Sequence, residues 1–312
     1  MYGGFWDNLR NAFRHSNNSL YKILAINILV FFVMVVIRVF FTFSGAGNLY
    51  ESFRGFLMMP ADLSVYIVQP WSILTYMFFH EGLFHILFNM LFLYWFGLLV
   101  DQYLGSRKLA NLYILGGLAG AVLYVVMYNI SPHFSEVLPF AKMLGASAGV
   151  YAVVVGAATL APNTTFQLLL LGPVKIKYIA IFYVVIAFVN SAGSNAGGEL
   201  AHLGGAAMGY FYVTQLRKGK DWGRAIQAIG IFFEKLLEKK PKVRVSYRRK
   251  KTYSTTENYK SEKANAKPTS SPSTSGAPSQ EEIDLILDKI AEKGYDGLSK
   301  EEKRKLFEFS KK

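Results

Sequence analysis

Long apolar segments recur through the first 216 residues of this 312-residue chain, and they restrict its fold more than any other feature. A helix that spans a bilayer needs about 20 mainly apolar residues. Because lipid cannot satisfy backbone polar groups, such segments form helices that satisfy them internally. The sequence predicts six spans, at residues 20–43, 84–100, 109–130, 145–161, 178–189 and 198–216. We therefore expect an all-α membrane protein with a bundle of six transmembrane helices.

Composition narrows the chemistry that such a bundle can carry. The chain is 52% hydrophobic and has no cysteine, so it has no disulfide, thiol nucleophile or cysteine metal site. His80-Glu81 and His85 approach a zinc-protease signature, but these histidines are five residues apart and fall on different helix faces. We therefore predict no metal site and no cofactor.

Positive charge is concentrated in the tail. Residues 217–312 hold 24 of the 34 Lys and Arg residues and 14 of the 21 Asp and Glu residues. Basic loop residues cluster on the side shared by the two termini, so the positive-inside rule predicts cytoplasmic termini and a cytoplasmic C-terminal tail. We expect a multi-pass protein of the bacterial inner membrane whose tail attracts anionic lipid headgroups. The tail lacks aromatic-interleaved basic motifs, so nucleic acid is not an expected partner.

Five segments differ in character along the chain. They are an N-terminal cytoplasmic interfacial segment at 1–19, the six-helix domain at 20–216, a basic amphipathic juxtamembrane segment at 217–251, a disordered linker at 252–280 and a two-helix motif at 281–312. In the last segment Ser299 and Glu302 have capping-box spacing, which predicts the start of its second helix. The motif is too small to bury a core alone, so we expect it to dock on a protein partner or on the membrane domain.

Two connections within the six-helix domain are also amphipathic. The predicted outer loop at 44–80 carries clustered aromatic and aliphatic residues, so we expect it to rest partly in the membrane interface. Gly172-Pro173 interrupts the apolar run before the fifth helix, and residues 166–171 are interpreted as an interfacial stretch.

Four polar residues stand out in the apolar segments, all in the outer half by the predicted topology. Ser147 heads a helix of small residues, where it either bonds back to the helix or acts as a nucleophile away from bulk water. His85 and Asn89 share one helix face, either as an interhelical hydrogen-bonding pair or as donors to an oxyanion. His202 lies on a face of small residues, and ionisable residues inside membranes usually mark function.

With these residues, positions 20–216 resemble the rhomboid intramembrane serine proteases. The resemblance rests on His80, the HILFN run at 85–89, LGSRKL at 104–109, GAS at 145–147, and Ala201-His202 with Gly205 and Gly209. It implies that Ser147 is the nucleophile and His202 its general base. His85, Asn89 and the Ser147 backbone N–H would form the oxyanion hole, and Tyr151 would pack against the histidine and orient it.

Two positions depart from the family pattern. Ala148 follows the serine where the family commonly has glycine, and Trp71-Ser72 stands where the family has Trp-Arg in the first loop. The family uses a serine–histidine dyad without a carboxylate. No Asp or Glu is an evident third member here, although Glu199 is near His202 in sequence.

The resemblance implies an intramembrane serine endopeptidase that cleaves transmembrane protein substrates near the outer face of the bilayer. Movement of the fifth helix and of the loop at 191–197 would gate substrate entry. One alternative is a rhomboid-like pseudoprotease that binds transmembrane clients without cleaving them. A small transporter or channel is a third interpretation, but the sequence has no paired broken helices in repeated halves, which many transporters show.

Overall fold

Helices make up most of the part of the chain that the computed structural model describes, namely residues 4–14, 18–168, 172–224, 226–228, 280–293 and 297–309. Two units, Met1–Pro241 and Lys242–Lys312, divide the chain. The first unit contains α1 (Phe5–Arg10), α2 (Ser19–Phe43), α3 (Gly47–Leu57), α4 (Leu63–Val68), α5 (Ser72–Thr75), α6 (Leu83–Leu104), α7 (Ser106–Ile130), α8 (Ser147–Leu160), α9 (Ile176–Asn190) and α10 (Ala196–Arg217).

Each predicted span contains a helix. Among the described residues, α2, α6 and α7 are long and apolar enough to cross a membrane, whereas α8 and α9 are shorter apolar helices. At 1.5 Å per residue the 14-residue α8 extends about 21 Å, less than the roughly 30 Å of a hydrocarbon core. Apolar side chains on α2 and α9 are largely exposed, among them Phe32, Phe40, Phe182 and Phe188. Such faces suit contact with lipid.

Small residues bring α8 and α10 close together. Gly205 and Gly209 of α10 lie against the backbone of Ala148 and Ala152 in α8. A Cβ added to Gly205 would lie 2.8 Å from the Ala148 carbonyl carbon, which is too close for a side chain. Because neither helix presents bulk at this contact, their backbones approach closely. The start of α8 therefore lies beside the middle of α10.

The methyl group of Ala148 fits because α7 makes room for it. Ala148 is almost completely buried, and a Cβ added to Gly120 of α7 would lie 2.6 Å from the Ala148 Cβ. Gly120 leaves that space open. The departure from the family's glycine at position 148 is thus compensated by a glycine on the neighbouring helix.

A two-stranded sheet ties the 44–80 loop to the segment that leads into α8. β1 (Met59–Pro60) pairs antiparallel with β2 (Lys142–Met143), with Met59 opposite Met143. The Lys142 Nζ donates to the Gly55 carbonyl at 3.1 Å, and the Trp71 Nε1 donates to the Phe56 carbonyl at 2.9 Å. These bonds anchor the loop, although Ser72 stands where the family has arginine.

A hairpin occupies the position of the predicted interfacial stretch. β3 (Thr165–Leu168) pairs antiparallel with β4 (Gly172–Lys175), and the Phe166 ring stacks on Phe96 of α6 at 4.9 Å. Gly172 has a φ of 68°, a conformation that glycine adopts without strain. The amino-acid pattern alone does not predict these strands, because their pairing depends on how the two sides of the interruption meet.

The second unit contains α11 (Gln280–Lys293) and α12 (Lys300–Phe309) around a small core of Ile283, Ile286 and Leu298. The Ser299 N–H donates to Glu302 Oε2 at 2.7 Å, and the Glu302 N–H donates to Ser299 Oγ at 3.3 Å. These reciprocal bonds confirm the predicted capping box. Of the predicted linker at 252–280 only Gln280 is described. Of the juxtamembrane segment at 217–251 only 217–224 and 226–228 are, so the remainder of both predictions lies outside the described residues.

Candidate active site

Ser147 is the first helical residue of α8, and its side chain does not cap the helix. The N-cap position belongs to Ala146, and Gly145 precedes it with a φ of 139° that side chains rarely tolerate. The Gly145 N–H donates to the Tyr76 carbonyl at 2.9 Å, which fixes the turn. As a first-turn amide, the Ser147 N–H has no intrahelical acceptor. The backbone amide of Ser147 is therefore available to a ligand, and its hydroxyl is not used to cap its own helix.

The imidazole of His202 meets this hydroxyl. Its Nε2 lies 2.7 Å from the Ser147 Oγ, and its ring stacks on Tyr151 with centroids 4.2 Å apart and planes 8° from parallel. Tyr151 follows Ser147 by one helical turn, so α8 supplies both the hydroxyl and the ring that covers the imidazole. The structure brings together three of the residues selected from the sequence.

A carboxylate contacts the other nitrogen of the same ring. The Glu199 Oε2 lies 3.0 Å from His202 Nδ1, one turn earlier on α10. This contact corrects the expectation that no Asp or Glu joins the site. Residues at i and i+3 share a helix face, so the spacing of Glu199 and His202 was the signal that could have revealed the contact.

His85 and Asn89 line the same cavity from α6. The Glu81 N–H donates to His85 Nδ1 at 3.4 Å, which assigns the ring proton to Nε2. A Cβ added to Gly145 would lie 3.4 Å from that Nε2 and 3.3 Å from Ser147 Oγ, so both groups lie beside Gly145. The Asn89 amide donates to the His85 carbonyl at 2.8 Å, which holds the side chain along the helix.

His80 lies beside this group as a half-buried neighbour. Its ring meets the His85 ring edge to face at 5.1 Å. Burial, reinforced by the nearby His85, lowers the pKa of His80 to about 3, so the ring is uncharged at neutral pH. Within the described ranges, no group of three or more His, Cys, Asp or Glu residues could hold a metal ion.

The cavity has a volume of about 560 Å³ and lies open to one side. Its polar lining includes Glu81, His85, Asn89, Ser147, Tyr151 and His202. A hydroxyl bonded to a histidine can attack a carbonyl carbon, and nearby N–H groups can stabilise the oxyanion that forms. The arrangement is chemically suited to acyl transfer.

Comparison with known proteins gives two family matches. Residues 68–219 match the rhomboid domain, and residues 276–312 match a family of unknown function, DUF6576. The chain is 33% identical over 159 residues to RHOMBOID-like protein 12, mitochondrial, of Arabidopsis thaliana, covering 48% of this chain and 47% of that protein. It is 28% identical over 228 residues to Rhomboid protein 1, mitochondrial, of Saccharomyces cerevisiae, covering 70% of this chain and 60% of that protein.

Two further features of the comparison bear on function. The chain spans about half the length of the first curated relatives it matches. Over 78 residues it is also 32% identical to Inactive RHOMBOID-like protein 8 of Arabidopsis thaliana, covering 25% of this chain and 22% of that protein. The Arabidopsis and yeast relatives with 33% and 28% identity carry the names of mitochondrial proteins, and the comparison does not support the bacterial inner membrane expected from the sequence.

Proposed function

Because the chain belongs to the rhomboid family, we propose that it is an intramembrane serine endopeptidase that cleaves transmembrane protein substrates near the outer face of the bilayer. The observation that carries the proposal is the 2.7 Å contact between Ser147 Oγ and His202 Nε2 at the wall of the cavity. A structural serine in an apolar helix more often bonds back to its own helix. Ser147 instead meets an imidazole from another helix.

The chemistry follows from the positions of the atoms. Ser147 Oγ attacks the scissile carbonyl carbon while its proton passes to His202 Nε2, and the carbonyl π electrons move to the oxygen. The Ser147 N–H, His85 and Asn89 would donate to that oxyanion. The C–N bond then breaks, and the proton on Nε2 leaves with the amine. Water attacks the resulting ester by the same proton route and restores Ser147.

The arrangement in the membrane belongs to the same proposal. Six spans, formed by α2 and α6 to α10, would place both termini on the cytoplasmic side. The short α8 would then begin below the outer surface, at the end of the segment held by β1 and β2. Water would reach Ser147 through the open side of the cavity. Substrate would enter past α9 and the 191–197 loop.

The proposal also includes the C-terminal tail, residues 217–312, which would contact lipid headgroups and a protein partner. The basic segment at 217–251 would bind anionic headgroups, and the motif at 281–312 would dock on a protein partner. Deleting residues 252–312 should alter localisation, activity or interactions. Unchanged behaviour in all three would remove the assignment of a partner to the motif.

The proposal is tested by cleavage of a transmembrane substrate in liposomes, with products identified by mass spectrometry. Ser147→Ala and His202→Ala should each abolish product formation. Ser135→Ala is the matched control, because Ser135 is an exposed serine whose hydroxyl donates to the local Pro132 carbonyl. Full cleavage by both site variants would refute the proposal.

The alternative, a pseudoprotease, is favoured by one observation: one relative is named Inactive RHOMBOID-like protein 8. It predicts that the wild-type chain co-purifies with transmembrane clients, yields no fragments and behaves like Ser147→Ala. Against it stands the contact between Ser147 and His202, which binding alone does not require.

A further inference from the structure

Both nitrogens of the His202 ring are engaged by side chains. Nε2 lies 2.7 Å from Ser147 Oγ, and Nδ1 lies 3.0 Å from Glu199 Oε2. A carboxylate accepts hydrogen bonds but cannot donate, so the Nδ1 contact requires the proton on that nitrogen. The lone pair of Nε2 then points at the Ser147 hydroxyl, which is the tautomer that a general base needs.

We propose that Glu199 is a positioning residue that completes a Ser147–His202–Glu199 triad. This inference rests on the proposed proteolytic function and adds to it a carboxylate that the family dyad lacks. Glu199 acts through the imidazole and does not touch the substrate. Its role is to fix the tautomer and orientation of His202 and to stabilise the imidazolium that forms during the reaction.

The surroundings strengthen this contact. The side chains of Glu199 and His202 are each 14% exposed, so the contact is shielded more than a surface pair. Tyr151 covers one face of the imidazole and limits its rotation. Two restraints therefore act on the ring: a stacking ring from α8 and a carboxylate from α10.

Glu199 leaves the proton balance of the reaction unchanged. As Ser147 Oγ bonds to the carbonyl carbon, its proton passes to Nε2, and the ring becomes positively charged. The carboxylate stays ionised and keeps its hydrogen bond to Nδ1–H, now charge-assisted on both sides. The Nε2 proton then leaves with the amine, and the ring returns to its starting tautomer. No proton is transferred to Glu199.

A purely structural role makes a different prediction. Glu199 lies in the first turn of α10, where a negative charge stabilises the helix N-terminus. Removal of that charge would lower the melting temperature and the amount of folded enzyme. It would leave the turnover rate of each folded molecule unchanged.

The test compares Glu199→Gln, Glu199→Asp and Glu136→Gln in the full chain, in liposomes with a transmembrane substrate. Glu136→Gln removes an exposed carboxylate from a loop and is the matched control. Active-site titration with a fluorophosphonate gives the concentration of competent enzyme, so that kcat refers to folded molecules. The melting temperature is measured in parallel.

We expect Glu199→Gln to lower kcat by roughly 10- to 100-fold with KM nearly unchanged, the range of one lost charge-assisted hydrogen bond. Glu199→Asp should recover part of that loss, and Glu136→Gln should match wild type. If Glu199→Gln has the same kcat per titrated active site as wild type, Glu199 is not a positioning residue, even if the variant has a lower melting temperature. Failure of the proposed function is separately visible, because wild type and Ser147→Ala would then give the same product yield.

Discussion

Replacing Gly205 by alanine should separate the two helices that carry the site. The new Cβ would overlap the Ala148 carbonyl oxygen and lie 2.8 Å from its carbon. To restore an ordinary distance of 3.4 Å between the new Cβ and the Ala148 carbonyl carbon, the two helices must move apart by about 0.6 Å. Relieving the overlap with the carbonyl oxygen requires a larger movement. Because both contacts are backbone atoms, α8 and α10 must move apart as units.

That movement acts directly on the hydroxyl and the imidazole. The 2.7 Å contact between Ser147 and His202 would lengthen past 3.3 Å, where hydrogen bonds are weak. A misplacement of about 1 Å can lower a rate by about 100-fold, and overpacking of a core costs about 1–3 kcal/mol. We therefore expect Gly205→Ala to lower kcat by about two orders of magnitude and to reduce the stability of the protein.

The assay is cleavage of a transmembrane substrate in liposomes, with kcat per titrated active site and the melting temperature of each variant. Gly47→Ala is the matched control, since no heavy atom lies within 4 Å of the Cβ it would add. It should retain wild-type kcat and stability. A Gly205→Ala enzyme with wild-type kcat would refute the idea that close approach of α8 and α10 sets the site geometry.

Three further predictions address the oxyanion donors, the stacked ring and the tail. Asn89→Ala should lower kcat by about 10²–10³-fold in the liposome assay, because this is the usual effect of removing one hydrogen-bond donor to an oxyanion. A change in KM with an unchanged kcat would exclude Asn89 as an oxyanion donor. Tyr151→Phe should keep a kcat near that of wild type, whereas Tyr151→Ala should lower kcat by about 2- to 10-fold, because the ring makes the stacking contact with the imidazole. Equal losses of kcat in the two variants would show that the hydroxyl, and not the ring, is responsible. Hydrogen bonds from Lys289 and Ser299 lower the pKa of Glu302 to about 2 from an ordinary value of 4.5. The ionised Glu302 carboxylate therefore stabilises α12 fully above pH 4.5, and this stabilisation is lost as the pH falls toward 2. Hydrogen-exchange protection of residues 300–309, corrected for the intrinsic exchange rate, should fall over the same range. Protection that stays unchanged from pH 4.5 to pH 2 would contradict this prediction.

Helix positions in the membrane domain followed from the sequence because each apolar run has one stable form in lipid. The site residues followed from their polarity in such runs and from the family resemblance. Ser299 and Glu302 identified the start of α12, since a capping box depends only on local spacing. The helix positions and the capping box are each set by residues within a few turns of one helix.

Features that depend on several elements were not predicted. The β1–β2 pairing joins residues more than 80 positions apart, and the hairpin at Thr165–Lys175 depends on contacts such as Phe166 with Phe96. Gly120 compensates for Ala148 only because α7 and α8 meet there. The contact between Glu199 and His202 is local, and its i,i+3 spacing could have been used.

Covalent labelling of Ser147 tests most directly whether His202 activates it. The full chain is treated in liposomes with a fluorophosphonate, digested and mapped by mass spectrometry, alongside Ser147→Ala and His202→Ala. We predict one modified residue, Ser147, with labelling absent in Ser147→Ala and strongly slowed in His202→Ala. Modification at another residue, or equal labelling rates at Ser147 with and without His202, would contradict a nucleophile activated by this imidazole.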